Sequence, residues 1–171
     1  MIAGATLSVE ATSTTGGNTV VLKNIETDSK GAYSYALPAG ESRLISVEYE
    51  GSAVALPTAA DVHQQFTGDV AASLRGSLRA GRAALLSGQV KGGYIPSVGV
   101  QIDIQWQVPG LSTWSTFDAG HTNHQGRFTV HFPIGRKDAG YTYQLRVVVP
   151  SQADWPYNGA TSATLTRHVA S

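Results

Sequence analysis

Cysteine is absent from all 171 residues. That removes disulfides, thiolate metal sites and cysteine nucleophiles together, and leaves packing and backbone pairing to hold the fold. Charge is scarce as well. Charged residues make up 14% of the chain against 42% apolar ones, a balance too apolar for a disordered tail and too dilute in charge for a coiled coil. Twelve basic residues offset twelve acidic ones, so no net field favours nucleic acid or an anionic membrane surface. No apolar run is long enough to cross a bilayer as a helix, and the opening MIAGATLSVEATS has neither the basic start nor the apolar stretch of a signal peptide. Helical periodicity is also missing. The one helix-leaning stretch, Thr58 to Gln65, is short and poorly capped, and reads as a loop running into a strand.

What the sequence does have is alternation with a period of two. Val100, Ile102, Ile104 and Trp106 alternate with Gln101, Asp103, Gln105 and Gln107, the pattern of a strand with one face on a core and one in water. Phe128, Val130 and Phe132 repeat it, as do Tyr141, Tyr143, Leu145, Val147 and Val149. In the first half the same signal comes from Leu7 and Val9, from Tyr33, Tyr35 and Leu37, and from Ile45, Val47 and Tyr49. Nineteen glycines and seven prolines fall mostly between these runs, where strands need turns. Short strands with regular turn signals predict an all-β fold of antiparallel sandwiches.

The chain also repeats itself. TDSKGAYSYALPAG, Thr27 to Gly40, returns as TNHQGRFTVHFPIG, Thr122 to Gly135, with Thr27/Thr122, Gly31/Gly126, Pro38/Pro133 and Gly40/Gly135 each 95 positions apart. Held without a gap, that offset aligns Gly4–Gly40 with Gly99–Gly135 and pairs Leu7 with Ile102, Val9 with Ile104, Leu22 with Phe117 and Tyr33 with Phe128. The identities are mostly turn-formers. Asp28 or Asn123, followed three residues later by Gly31 or Gly126, suits a tight turn in which the side-chain oxygen bonds nearby backbone and glycine takes positive φ. Pro38 with Gly40, and Pro133 with Gly135, then end the strand.

The repeat predicts two tandem antiparallel β-sandwiches, residues 1–67 and 68–171, joined near Phe66 to Ala72 with little slack. In the second copy two more candidate strands, Asp69 to Arg75 and Ala83 to Lys91, precede Gly99, with Leu78 to Gly81 as the turn between them. The first copy has no counterpart of them, because Met1 aligns with Pro96. About seven strands are therefore expected in the second unit and about five in the first, which would lack its first two strands and carry an open edge. The missing strands would either precede this segment in a longer chain or come from another copy.

The segments GAYSYALPAGESRLISVEYEGS, LSGQVKGGYIPSVGVQIDIQWQ and STWSTFDAGHTNHQGRFTVHF resemble the tandem immunoglobulin-like repeats of secreted or surface proteins of high-GC Gram-positive bacteria, which are similar to carboxypeptidase-regulatory-like and collagen-adhesin B-type sandwiches. The turn signature T-[DN]-x-x-G-x-[YF] carries the likeness. The resemblance implies a stalk, spacer or adhesive module at the cell surface or outside the cell. Some collagen-adhesin relatives carry a Lys to Asn isopeptide cross-link. Here Lys23, Lys30, Lys91 and Lys137 do not stand on an alternating apolar face with a matching buried acid, so no cross-link is expected.

Chemistry-bearing residues are thinly spread. His121, His124 and His131 lie close in sequence, but a metal site would need them to converge, and their turn and polar-face positions set them apart; His63 and His168 are isolated. No metal ligand set and no cofactor is assigned. Glu48, Glu50 and Asp103 point outward without a shared cleft, no Gly-x-Ser-x-Gly elbow is present, and no glycine-rich loop leads into a helix. The chain therefore reads as a non-enzyme. Trp106 falls on an apolar strand face and belongs to the predicted core with Ile102, Ile104, Phe128, Phe132 and Leu145. Trp114, Trp155 and Tyr157 flank strands, where rings can stack on a sugar or anchor a protein interface. The expected function is a structural or adhesive protein, a spacer or an assembling surface subunit, with strand donation between copies through the open edge of the first unit. The alternative is a carbohydrate-binding module that uses exposed aromatics. A protein or glycan partner fits both; nucleic acid and membrane insertion fit neither.

Overall fold

The computed structural model describes residues 2–107 and 110–171. They form an all-β protein with no α-helix among the described residues, in two compact units, Met1–Phe66 and Thr67–Ser171.

The first unit is one antiparallel sheet. Its strands β1 (Thr6–Ser13), β2 (Val20–Glu26), β3 (Arg43–Tyr49) and β4 (Thr58–Gln64) lie in the order β2-β1-β3-β4. Alternation puts Val9, Ala11 and Ile45 on the inner face, where they are buried with Leu22, Ile25, Tyr35, Leu37 and Val47 packed against them. The expected sandwich of about five strands is thus a single sheet of four. Thr58–Gln64 is a strand throughout instead of a loop entering one, because β3 offers it a complete register from Tyr49↔Thr58 to Arg43↔Gln64.

The second unit has two sheets. One holds β5 (Asp69–Arg75), β7 (Ala83–Lys91) and β10 (Arg127–Pro133) in the order β10-β7-β5. The other holds β6 (Leu78–Arg79), β8 (Gln101–Gln107), β9 (Ser115–His121), β11 (Thr142–Val149) and β13 (Leu165–Ala170) in the order β6-β13-β11-β8-β9, with β12 (Ala160–Thr161) on β11. Val70, Leu86, Val90, Phe128 and Phe132 from the first, and Ile102, Ile104, Leu145 and Val147 from the second, are buried. Each such apolar side chain contributes about 2 kcal/mol by leaving water. Leu78–Gly81, expected as a plain turn, begins with a short strand: Leu78 and Arg79 pair in parallel with Val169 and Ala170, and the chain turns at Gly81, whose φ is 72°. The reason is Leu78 itself, which is buried and draws the chain against β13.

The repeat is preserved atom by atom in its hydrogen bonds. Asp28 Oδ1 accepts from the backbone N–H groups of Lys30 and Ala32 at 2.8 and 2.9 Å; Asn123 Oδ1 accepts from those of Gln125 and Arg127 at 2.9 Å each. Gly31 N donates to the Asp28 carbonyl and Gly126 N to that of Asn123, both at 2.9 Å, and the two glycines sit at φ 73° and 74°. Thr27 Oγ1 accepts from Ala5 N at 2.9 Å, and Thr122 Oγ1 from Val100 N at 3.0 Å. Even the β-bulge recurs: the β1–β2 register shifts between Val9 and Glu10, and the β8–β9 register shifts between Ile104 and Gln105.

One repeated run breaks the symmetry. Tyr33, Tyr35 and Leu37, expected as a strand, belong to no ladder, whereas their counterparts at 128, 130 and 132 lie in β10. The local sequence asks for a strand in both places. Among the described residues only β10 has a neighbour, β7, which pairs it from Arg127↔Gln89 to Pro133↔Ala83.

Gly4 and Gly99 occupy the same repeat position at φ 66° and 81°, but a Cβ on Gly99 would come 1.8 Å from the Thr122 carbonyl oxygen, while one on Gly4 meets nothing within 4 Å. Gly4→Ala should therefore cost only the left-handed backbone strain of about 1–2 kcal/mol, and Gly99→Ala roughly 3 kcal/mol or more once the clash forces β8 and the turn apart. All three tryptophans lie in the second unit, so denaturant melts followed by tryptophan fluorescence should register Gly99→Ala and leave Gly4→Ala at the wild-type midpoint, with circular dichroism reporting the latter.

Candidate binding surface

The predicted aromatic trio does not stay together on the surface. Trp155 and Tyr157 are buried at 2% and 7% exposure, their ring centroids 5.0 Å apart. Gly68 makes room for the indole, since a Cβ there would come 2.3 Å from Trp155 Cη2. Trp155 Nε1 finds no hydrogen-bond partner among the described residues, a penalty of about 1–3 kcal/mol accepted for the ring's burial. These two residues plug one end of the second unit and are removed from any glycan-facing role.

Trp114 does reach solvent, half-exposed at the start of β9. The Arg146 guanidinium carbon lies 4.2 Å from its ring centroid, a cation–π contact of about 0.5–1 kcal/mol at such a site. Arg146 is itself held, as its Nε donates to Gln105 Oε1 at 2.8 Å, and Gln105 Nε2 donates to Thr116 Oγ1 at 3.2 Å. The registers Gln105↔Arg146, Gln107↔Gln144 and Gln105↔Thr116 place these side chains on one outward sheet face. The result is a flat polar platform with one indole. Arg146 covers one side of that ring, so a ligand has only the other.

Trp106, expected in the core, is half-buried. It stacks on Tyr143 with centroids 5.1 Å apart and tilts against Phe117 at 5.8 Å. With Phe132, Leu78 and Asp138 these rings line a cavity of about 140 Å³. Ligand pockets ordinarily start at about 300 Å³, so this is a packing gap at the end of the core. A wider depression of about 720 Å³ on the first unit is lined by Ser8, Glu10, Asn24, Glu48 and Glu50 on the outer sheet face. No group of three or more His, Cys, Asp or Glu among the described residues is placed to hold a metal ion. His121, His124 and His131 are all exposed, on β9, the turn and β10. Ile102, Ile104, Phe128, Phe132 and Leu145 are buried. Asp28, Gly31, Asn123 and Gly126 form the paired turns, while Pro133 closes β10 and Gly135 N donates to Asp138 Oδ2 at 2.8 Å. Pro38 O accepts from Arg43, just before Gly40.

The feature that residue types alone did not reveal is the backbone of Tyr33–Leu37. Alternation marks it as a strand, and it has no ladder because no described residue lies beside it as β7 lies beside β10.

Burial first, then the charge and hydrogen bond of Asp138, raise the Tyr143 phenol above its usual 10.0. A raised value favours the neutral phenol in the folded state, so its stabilisation is complete below the unfolded value and is lost as pH rises through the folded one. Titration of tyrosinate absorbance should show Tyr143 ionising later than the exposed tyrosines. Tyr143→Phe should remove that late step and flatten the alkaline loss of stability.

No protein-family model and no curated protein matches the chain.

Proposed function

We propose that the chain is a non-enzymatic structural or adhesive protein of the cell surface or extracellular space, a spacer or an assembling subunit in which a strand from a neighbouring chain completes the first unit. The observation that carries this reading is the open first unit. It has the turn, the bulge and the inner face of the second unit, yet only one sheet. Its last strand, β4, is exposed along nearly its whole length, and Val62, which stands beside Ile45 on the inner face, is 61% exposed. Apolar inner surface next to unpaired sheet edges is what interfaces are made of. The likeness of the segments to tandem immunoglobulin-like surface repeats supports the same reading, as does the shared hydrogen-bond scheme of the two units. Light scattering over a wide concentration range tests the assembling form: mass that climbs with concentration supports it, and a fixed monomer with intact β signal leaves only the spacer.

The second reading is a carbohydrate-binding module, favoured by the Trp114, Arg146 and Gln105 platform. A sugar stacked on the free indole side should shift tryptophan fluorescence, and Trp114→Ala should weaken binding at least tenfold, about 1.4 kcal/mol, while lowering stability by no more than the roughly 0.5–1 kcal/mol of the lost Arg146 contact. A flat response across a broad polysaccharide panel removes this reading.

A further inference from the structure

Residues 32–38 lie where β10 lies in the second unit, 95 positions away, and carry the same alternation. Arg127 to Pro133 are paired without a gap by β7. No such neighbour accompanies 32–38 among the described residues. Accordingly the main-chain N–H and C=O groups of Tyr33, Ser34, Tyr35, Ala36 and Leu37 form no hydrogen bond to any other described residue. Both ends of the run are nevertheless fixed. Ala32 N donates to Asp28 Oδ1 at 2.9 Å, and Pro38 O accepts from Arg43. Tyr35 and Leu37 rest on the cluster of Val9, Ala11 and Ile45. A run of bare, anchored backbone with no charged side chain along it lacks the devices that keep natural sheet edges from pairing, and offers main-chain bonds to an added strand.

The second unit identifies the chemistry of what would fit. There the pairing strand is antiparallel, buries Ala84, Leu86 and Val90 at alternate positions, and places Gly88 opposite Phe128, where a Cβ would come 2.2 Å from the Ala71 carbonyl oxygen and 2.3 Å from Phe128 Cζ. Tyr33 is the counterpart of Phe128. A folded second copy is a poor donor, because its β7 is the middle strand between β5 and β10, and lending it would unpair two ladders. We infer that Tyr33–Leu37 accepts, by antiparallel β-addition, an extended segment of another polypeptide that lies outside any folded sheet: about seven residues of β7 chemistry, uncharged, apolar at alternate positions, with glycine where it passes Tyr33. This rests on the reading that the open first unit takes a strand from a neighbouring chain, and names that chain as a different polypeptide.

The test uses the isotope-labelled full chain and a synthetic peptide with the sequence of Ala83–Lys91, AALLSGQVK. At about ten times its dissociation constant the peptide should slow exchange about tenfold at the alternate amides of Tyr33–Leu37 that face the added strand, with β4 amides unchanged. A scrambled peptide of the same composition, and one with alternate backbone N–H groups methylated, should leave the rates at Tyr33–Leu37 as they were. The inference is overturned if exchange there does not slow up to the solubility limit of the peptide, if the scrambled peptide slows it equally, or if the protection appears on β4 instead. It is also overturned if exchange at Tyr33–Leu37 slows with rising protein concentration and the peptide adds nothing. That outcome assigns the edge to a second copy and keeps the assembling reading. A chain that stays monomeric by light scattering yet binds the peptide keeps the inference and loses self-assembly.

Discussion

A β-strand exists only where a neighbour takes up its backbone groups, and the two units differ by whether that neighbour is present. The turn that launches the strand is the same in both: an Asp or Asn side chain capping two backbone N–H groups, a glycine at positive φ, and a threonine hydroxyl clamped to the start of the first strand. The alternation that follows is the same as well. Where β7 lies alongside, the result is β10; where no described residue does, Tyr33–Leu37 stays extended and unladdered. Propensity and local turn chemistry set the direction of the chain, and pairing decides whether it becomes sheet.

The same constraint explains the distribution of burial. In the second unit two sheets face each other, and Val100, Ile102, Ile104 and Val147 are wholly withdrawn from solvent. In the first unit a single run of side chains, led by Tyr35 and Leu37, covers the inner face. It is enough to bury Val9 and Ile45 at 1% and 3% exposure, but it does not reach Val62 on β4. A loop covers less than a sheet because it supplies one row of side chains where β10, β7 and β5 together supply three.

Much of this was legible in the sequence because period-two alternation and turn residues are local. The strands around Ile102, Phe128, Leu145 and Ile45 follow directly from it, as do the two Asx turns. Three features were not legible, each for a non-local reason. Leu78 looks like part of a turn until β13 is present to bury it. Trp155 and Tyr157 read as exposed rings because nothing in their neighbourhood announces that Gly68, far earlier in the chain, leaves a slot for the indole. Tyr33–Leu37 reads as a strand because alternation reports what a segment could pair with, never whether the partner is there. On the surface platform the residue type was right and its circumstance was not. Trp114 is accessible, but Arg146, brought beside it by the β8–β11 register, already occupies one side of the ring.

The arrangement of the first unit also limits how it can be completed. Tyr35 and Leu37 already keep Val9, Ala11 and Ile45 from water, so displacing the loop would re-expose that cluster and cost several kcal/mol of burial. Adding a strand beside the loop keeps those contacts, takes up the idle backbone groups and extends cover toward Val62 and Ala60, which stand next to Ile45 and Val47 on β4. A strand proposed to complete the unit is therefore favoured as an addition over an exchange. For the same reason the unit does not collapse while it stays open. Its own chain shields the central residues of the sheet, and the unsatisfied groups that remain lie along an edge that water can reach.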